Sequence, residues 1–234
     1  MQKLLVSILI PLVLASCVLQ IRKSESESLD QQAVRQAFYA YKYALLNNLG
    51  KEAADLVSQK TLERYAQLKK LALTGTREQL DIQPPFKKMV ALNLRHNIDG
   101  HQIEAMTAKD LFAYGVKEEW ISKDTVAPYE LGTVNVYGNY ASAVVLYIGQ
   151  TTDNMLEFLK EDGAWRINLV PLLNKADQNF STYLNQYNAN YDDVIVNIIE
   201  STSGRKVNGN IWEPVKKNDQ AKNNGRTQND KNRD

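Results

Sequence analysis

Residues 131–170 read LGTVNVYGNYASAVVLYIGQTTDNMLEFLKEDGAWRINLV, and the fold class turns on this stretch. Val134 and Val136 alternate with Thr133 and Asn135, the run breaks at Tyr137-Gly138-Asn139-Tyr140, and Ala143, Val145 and Tyr147 resume it on one parity. Apolar residues at every second position fit a strand with one buried face, and a Gly-Asn pair between two such runs marks a tight hairpin. Residues 155–160 and 164–170 flank Glu161-Asp162-Gly163, an Asp-Gly turn signal, and Trp165, Ile167 and Leu169 alternate with Arg166 and Asn168. Four short strands in succession predict an antiparallel meander whose apolar face must be covered by another part of the chain.

Upstream of the meander the cover is helical. Ser28-x-x-Gln31 has the spacing of a capping box, and Val34, Phe38, Tyr41 and Leu45 form one apolar stripe that stops at Asn47-Asn48-Leu49-Gly50. A short helix over residues 51–59 with Leu56 and Val57 inward follows, then one capped by Thr61 and carrying Leu62, Tyr65, Leu68 and Leu71. Thr76-x-x-Gln79 repeats the box until Pro84-Pro85, where a helix with Met89, Val90, Leu92 and Leu94 resumes. Thr107-x-x-Asp110 opens another, carrying Leu111, Phe112 and Val116 towards Trp120.

Downstream, Pro171 closes the fourth strand and helix returns through Phe180, Tyr183, Leu184 and Tyr187. Asp192-Asp193 suits a helix start, Val194, Ile195, Ile198 and Ile199 form its stripe, and Gly204 falls where a C-cap belongs. Ile211-Trp212-Glu213-Pro214-Val215 is the last apolar patch. Residues 216–234 offer almost nothing to bury and carry six bases against three acids, so they read as a disordered polar tail.

The chain begins with its longest apolar run, residues 4–15, preceded by Lys3 and interrupted by Ser7 and Pro11. It is shorter than the roughly 20 residues that span a bilayer and fits a secretory h-region. It ends in Leu14-Ala15-Ser16-Cys17, where Cys17 is the only cysteine. An unpaired cysteine after small residues has no intramolecular disulfide to serve. This segment closely resembles the bacterial lipobox. The resemblance implies cleavage after Ser16, acylation of Cys17 and a permanent membrane attachment, because several acyl chains hold where one does so only marginally. Val18 in place of aspartate implies, by the Gram-negative sorting rules, the outer membrane with the chain facing the periplasm.

The full chain has 28 bases and 27 acids; removing residues 1–16 takes away Lys3 and no acid, leaving 27 of each and no charge bias towards nucleic acid. With 44% hydrophobic and 24% charged residues the 234-residue chain is ordinary for a globular protein. The expected division is residues 1–16 as signal peptide, 17–27 as lipidated cysteine and tether, 28–215 as one α+β domain and 216–234 as tail.

Helices, then an antiparallel sheet ending in Asp162-Gly163-Ala164-Trp165-Arg166-Ile167, are similar to the nuclear transport factor 2-like superfamily. That resemblance implies N-terminal helices packed on a curved four-stranded antiparallel sheet in a cone-like arrangement, here followed by C-terminal helices. It also implies a pocket at the wide end. Tyr41, Tyr137, Tyr147, Trp165, Ile167 and Leu169 are the expected lining, aromatic and apolar groups that suit an apolar ligand.

Candidates for chemistry are few. His96 and His101, near Asp99 and Glu104, lack the spacing of a zinc signature and read as a helix end and turn. Glu157 is the one acid inside a predicted strand run, with the parity of Met155 and Leu159, and would serve as a general base if it faced inward. No phosphate-cradling glycine loop or Gly-x-Ser-x-Gly is present. The expected function is a membrane-anchored envelope lipoprotein acting as a non-catalytic binding or assembly module. It would need no cofactor or metal and would take an apolar ligand or an envelope protein as partner. The alternative is a small-molecule hydrolase or isomerase of the resembling type.

Overall fold

The computed structural model describes residues 27–120, 123–186 and 190–216. The signal segment, Cys17, the tether up to residue 26, Tyr187 and the tail from residue 217 lie outside the described residues.

The architecture is α+β, with helices first, an open four-stranded antiparallel sheet next and helices last. Strands β1 (Tyr129–Tyr137), β2 (Tyr140–Tyr147), β3 (Gln150–Glu161) and β4 (Ala164–Asn168) pair in sequence order. Alternation buries Leu131, Val134, Ala141, Ala143, Val145, Leu156, Phe158, Trp165 and Ile167 on one face. The register shifts between Leu131 and Val134 and between Val144 and Leu146, irregularities of the kind that bend a strand and raise its twist.

Two strand expectations change. β3 begins at Gln150, because the chain reverses at Ile148 and Gly149, both with positive φ (50° and 72°). The inward parity of β3 belongs to Leu156 and to Phe158, which is fully buried, so Glu157 faces the other way with Met155 and Leu159. Burying the aromatic ring decides the register.

Helix α1 (Leu29–Leu46) starts at the predicted box: Ser28 Oγ accepts from Gln31 N at 3.2 Å and Gln31 Oε1 from Ser28 N at 2.8 Å. Its apolar stripe fills the sheet's inner face, and its polar side chains serve the β1 edge. Gln31 donates to the Val134 carbonyl, Arg35 to those of Leu131 and Gly132, and Lys42 to that of Tyr129, all at 2.7–2.9 Å. Occupied carbonyls blunt an edge that could otherwise template a further strand.

The opposite edge is closed by the link between α2 (Gly50–Asp55) and α3 (Gln59–Thr74). Val57 bridges Ile167 in parallel, Ser58 N donates to Ile167 O at 2.8 Å, and Ile167 N donates to Leu56 O at 2.9 Å. Ser58, not Thr61, is the N-cap of α3, accepting from Thr61 N at 3.3 Å. Thr61 is fully buried, and its hydroxyl is committed to β4 instead, accepting from Leu169 N at 2.9 Å.

Helices α4 (Arg77–Asp81), α5 (Pro85–Asn97), α6 (Gly100–Ala105), α7 (Ala108–Lys117) and α8 (Lys123–Val126) precede the sheet; α9 (Val170–Gln186) and α10 (Tyr191–Ser203) follow it. Asp99 caps α6 through His101 N, and Gly204 ends α10 at φ 66°, the left-handed conformation a C-cap glycine supplies. A 3₁₀ turn, Gly209–Trp212, comes last. One buried cluster lies between the sheet and α1, α2 and α7. A second gathers Leu73, Leu92, Leu94, Ile103, Ile195 and Ile211 from α3, α5, α6, α10 and the final turn. Tyr65 packs against both.

Candidate functional site

The six residues expected around one pocket are distributed otherwise. Tyr41, Trp165, Ile167 and Leu169 belong to the core between sheet and helices, where Phe38, Phe112 and Phe158 occupy the inner face beside them. Burial drives the Tyr41 hydroxyl far above its ordinary pKa. Trp165 Nε1 donates to Asp30 Oδ1 at 2.9 Å, and Lys160 Nζ reaches the same oxygen at 2.7 Å, holding the Asp30 carboxyl below its usual range. Tyr137 and Tyr147 are exposed at opposite ends of the β1–β2 pair. The inner face of the sheet is a packed core.

The acid and histidines do not converge either. Glu157 Oε2 accepts from Asn168 Nδ2 at 2.9 Å on the outer face. Glu104 pairs with Lys216, and His101 opens α6. His96 Nε2 lies 2.8 Å from Ser203 Oγ, and its pKa is lowered by burial and then by Arg205, with Glu200 opposing. The same hydroxyl accepts from Arg205 N at 3.2 Å, so it also caps the end of α10. Among the described residues no group of three or more His, Cys, Asp or Glu could hold a metal ion.

The space that is open lies between helices. A groove of about 670 Å³ runs between α5, the end of α7 and α10, with Phe86, Met89, Val90 and Ile198 as apolar wall and Asn97, Thr202 and Arg205 among its polar groups. Behind Trp120 sits a chamber of about 120 Å³ lined by Tyr65, Leu68, Phe86, Val90 and Leu173, with Arg64 and Lys87 also in its wall. Phe86, Val90 and Trp120 line both spaces. A larger hollow of about 840 Å³ adjoins Arg95 and the final turn. There the Arg95 guanidinium is spent on the carbonyls of Leu71, Ala72, Gly75 and Ile211, which makes it a buttress.

Local sequence explains how the dividing wall is built. Pro84-Pro85 starts α5 so that Phe86 stands in its first turn, edge-on to Phe180 with centroids 6.4 Å apart. After α7 the chain turns through Glu119 at φ 53°, and Trp120 N donates back to Gly115 O at 3.0 Å. A Cβ at Gly115 would stand 3.2 Å from the indole, so glycine is what lets Trp120 lie so close to α7. Its ring meets Tyr114 edge to face at 5.6 Å.

Charge at the chamber is uneven. Arg64 Nη2 pairs with Asp177 Oδ2 at 2.8 Å, and Asp177 Oδ1 accepts from Lys87 N at 3.0 Å in the first turn of α5. The Lys87 ammonium has no hydrogen-bond or ion-pair partner among the described residues. Its pKa is lowered by burial and by Arg64, with Asp177 opposing, and burial pushes the neighbouring Tyr65 hydroxyl up to about 12. Sequence reading missed Lys87 because Lys88 beside it looks the same, although Lys88 is buried between Asp81 and Asp192 at 2.6 Å each. Trp120 carried only the signal of an aromatic at a helix end.

No protein-family model matches this chain, and no curated protein or solved structure matches it. The class rests on its own architecture: an α+β protein with a packed sheet core and an apolar interhelical groove.

Proposed function

We propose that the chain is a bacterial envelope lipoprotein, acylated at Cys17 and held at the outer membrane facing the periplasm. In this reading its body is a non-catalytic binding or assembly module, similar in plan to the nuclear transport factor 2-like proteins. The attachment is carried by Leu14-Ala15-Ser16-Cys17, which places the only cysteine where a lipobox needs it. The binding reading is supported by the filled inner face of the sheet and by the groove beside Trp120, an open, largely apolar space within the usual size of small-molecule sites. Labelling bacteria with a fatty-acid probe tests the anchor. The wild-type chain takes up the probe and Cys17→Ala does not; equal labelling of both overturns the lipoprotein reading.

A hydrolase is the second reading, and the 2.8 Å contact between Ser203 Oγ and His96 Nε2 is the observation that favours it. The backbone amide already bonded to that hydroxyl favours a capping role instead. Ester turnover by the wild-type chain that disappears in Ser203→Ala would decide for the hydrolase.

A further inference from the structure

We infer that the groove and the chamber behind Trp120 form one binding site for a single aliphatic chain with a monoanionic head, a fatty-acid-like carboxylate that meets Lys87 while its chain runs past Trp120 into the groove. The chamber, about 120 Å³ and walled chiefly by Tyr65, Leu68, Phe86, Val90 and Leu173, is close in size to apolar cavities that stay dry and take hydrocarbon. What enters it must therefore be apolar along most of its length.

The charges orient the ligand. At the chamber Arg64 and Asp177 neutralise each other, which leaves the unpartnered Lys87 as one positive charge facing a space of low polarity. The groove is lined by Glu118 and Glu119 against Arg205, a balance of one negative charge. A monoanion is drawn to the Lys87 end and repelled from the other. Burial already disfavours the charged form of Lys87, and a carboxylate beside it would reverse that by a charge-assisted hydrogen bond. Phe86, Val90 and Trp120 line both spaces, so a chain leaving the chamber passes the indole directly into the groove.

The test uses the full chain carrying Cys17→Ser, so that no acyl group of its own is attached, titrated at neutral pH with dodecanoate and with dodecanol by calorimetry. Dodecanoate binds, and Lys87→Gln weakens it by about tenfold or more, to the level of dodecanol, whose own binding is unchanged. Val90→Trp, which fills the chamber, removes the binding of both. Equal affinity for dodecanoate in wild type and Lys87→Gln overturns the inference, and so does binding that survives Val90→Trp, which would belong to the apolar leader or the surface. If Val90→Trp does not fold, Lys87→Gln alone decides. Vesicles of phosphatidylglycerol form a separate arm: retention on them that depends on Lys87, with no binding of free dodecanoate, assigns the anion to a bilayer headgroup and overturns the free-acid ligand. The inference rests on the binding reading but fails separately from it, since loss of dodecanoate binding leaves the Cys17 labelling and the absence of turnover untouched.

Discussion

Ile148 occupies a position that its side chain does not favour. It takes φ 50° at the β2–β3 turn, followed by Gly149 at 72°, just as Asp162 takes 50° before Gly163 at 79° at the β3–β4 turn. Aspartate tolerates the left-handed conformation, whereas a β-branched residue crowds its own backbone there at a cost of about 1–2 kcal/mol. The side chain is 68% exposed, so burial returns little. Ile148→Asn is therefore expected to stabilise the protein by about 1 kcal/mol, read as a higher denaturant midpoint with an unchanged slope. An unchanged or lower midpoint would show that the isoleucine makes a contact worth as much as the strain. The same residue explains why the start of β3 was illegible in the sequence: isoleucine reads as strand, and Gly149 alone carried the turn. Trp165 teaches a related limit, because alternation shows which face a side chain shares and says nothing about whether that face is filled or hollow.

Elements were legible where their signals are local. The boxes at Ser28, Thr76 and Thr107 all form, because a hydroxyl and an amide or acid three residues on need only one another. The start of α3 was misread because Ser58 and Thr61 can each cap, and the choice is made by the sheet. Thr61 is taken out of competition by Leu169 N, and Ser58 N is held by the Ile167 carbonyl, so the segment between α2 and α3 is docked along the β4 edge. Thr61→Val keeps the shape and leaves the Leu169 amide buried without an acceptor, a loss of roughly 1–3 kcal/mol in chemical denaturation. Thr61→Ser keeps the hydroxyl and should recover most of it. If both variants lose the same amount, the methyl group and not the hydrogen bond holds the edge. Neither the groove nor the chamber could be read this way, since their walls come from α3, α5, α7, α9 and α10 and no single stretch contains the pattern.

At the scale of the molecule, the last apolar patch locks the second helical core. Ile211 is buried within that cluster and its carbonyl accepts from Arg95 Nη1 at 3.0 Å. The Trp212 ring lies 3.9 Å from the Arg77 guanidinium carbon, which itself pairs with Asp81 and Asp192, so one indole is stacked on a charge cluster that joins α4, α5 and α10. Val215 packs so close to Gly100 that a Cβ there would stand 2.1 Å from its Cγ1, and Lys216 N donates to Leu73 O at 2.9 Å. The composition beyond Lys216 offers little to bury. Ending the chain after Lys216 should therefore leave the thermal midpoint where it is. Ending it after Asn210 strips the burial of Ile211, the stacked indole and the acceptor of Arg95 together, and should lower stability by roughly 3 kcal/mol. A chain ending at Asn210 that melts with the full-length protein would show that the helices close their core without this segment, and that the Arg77–Asp81–Lys88–Asp192 cluster is held by its own charges.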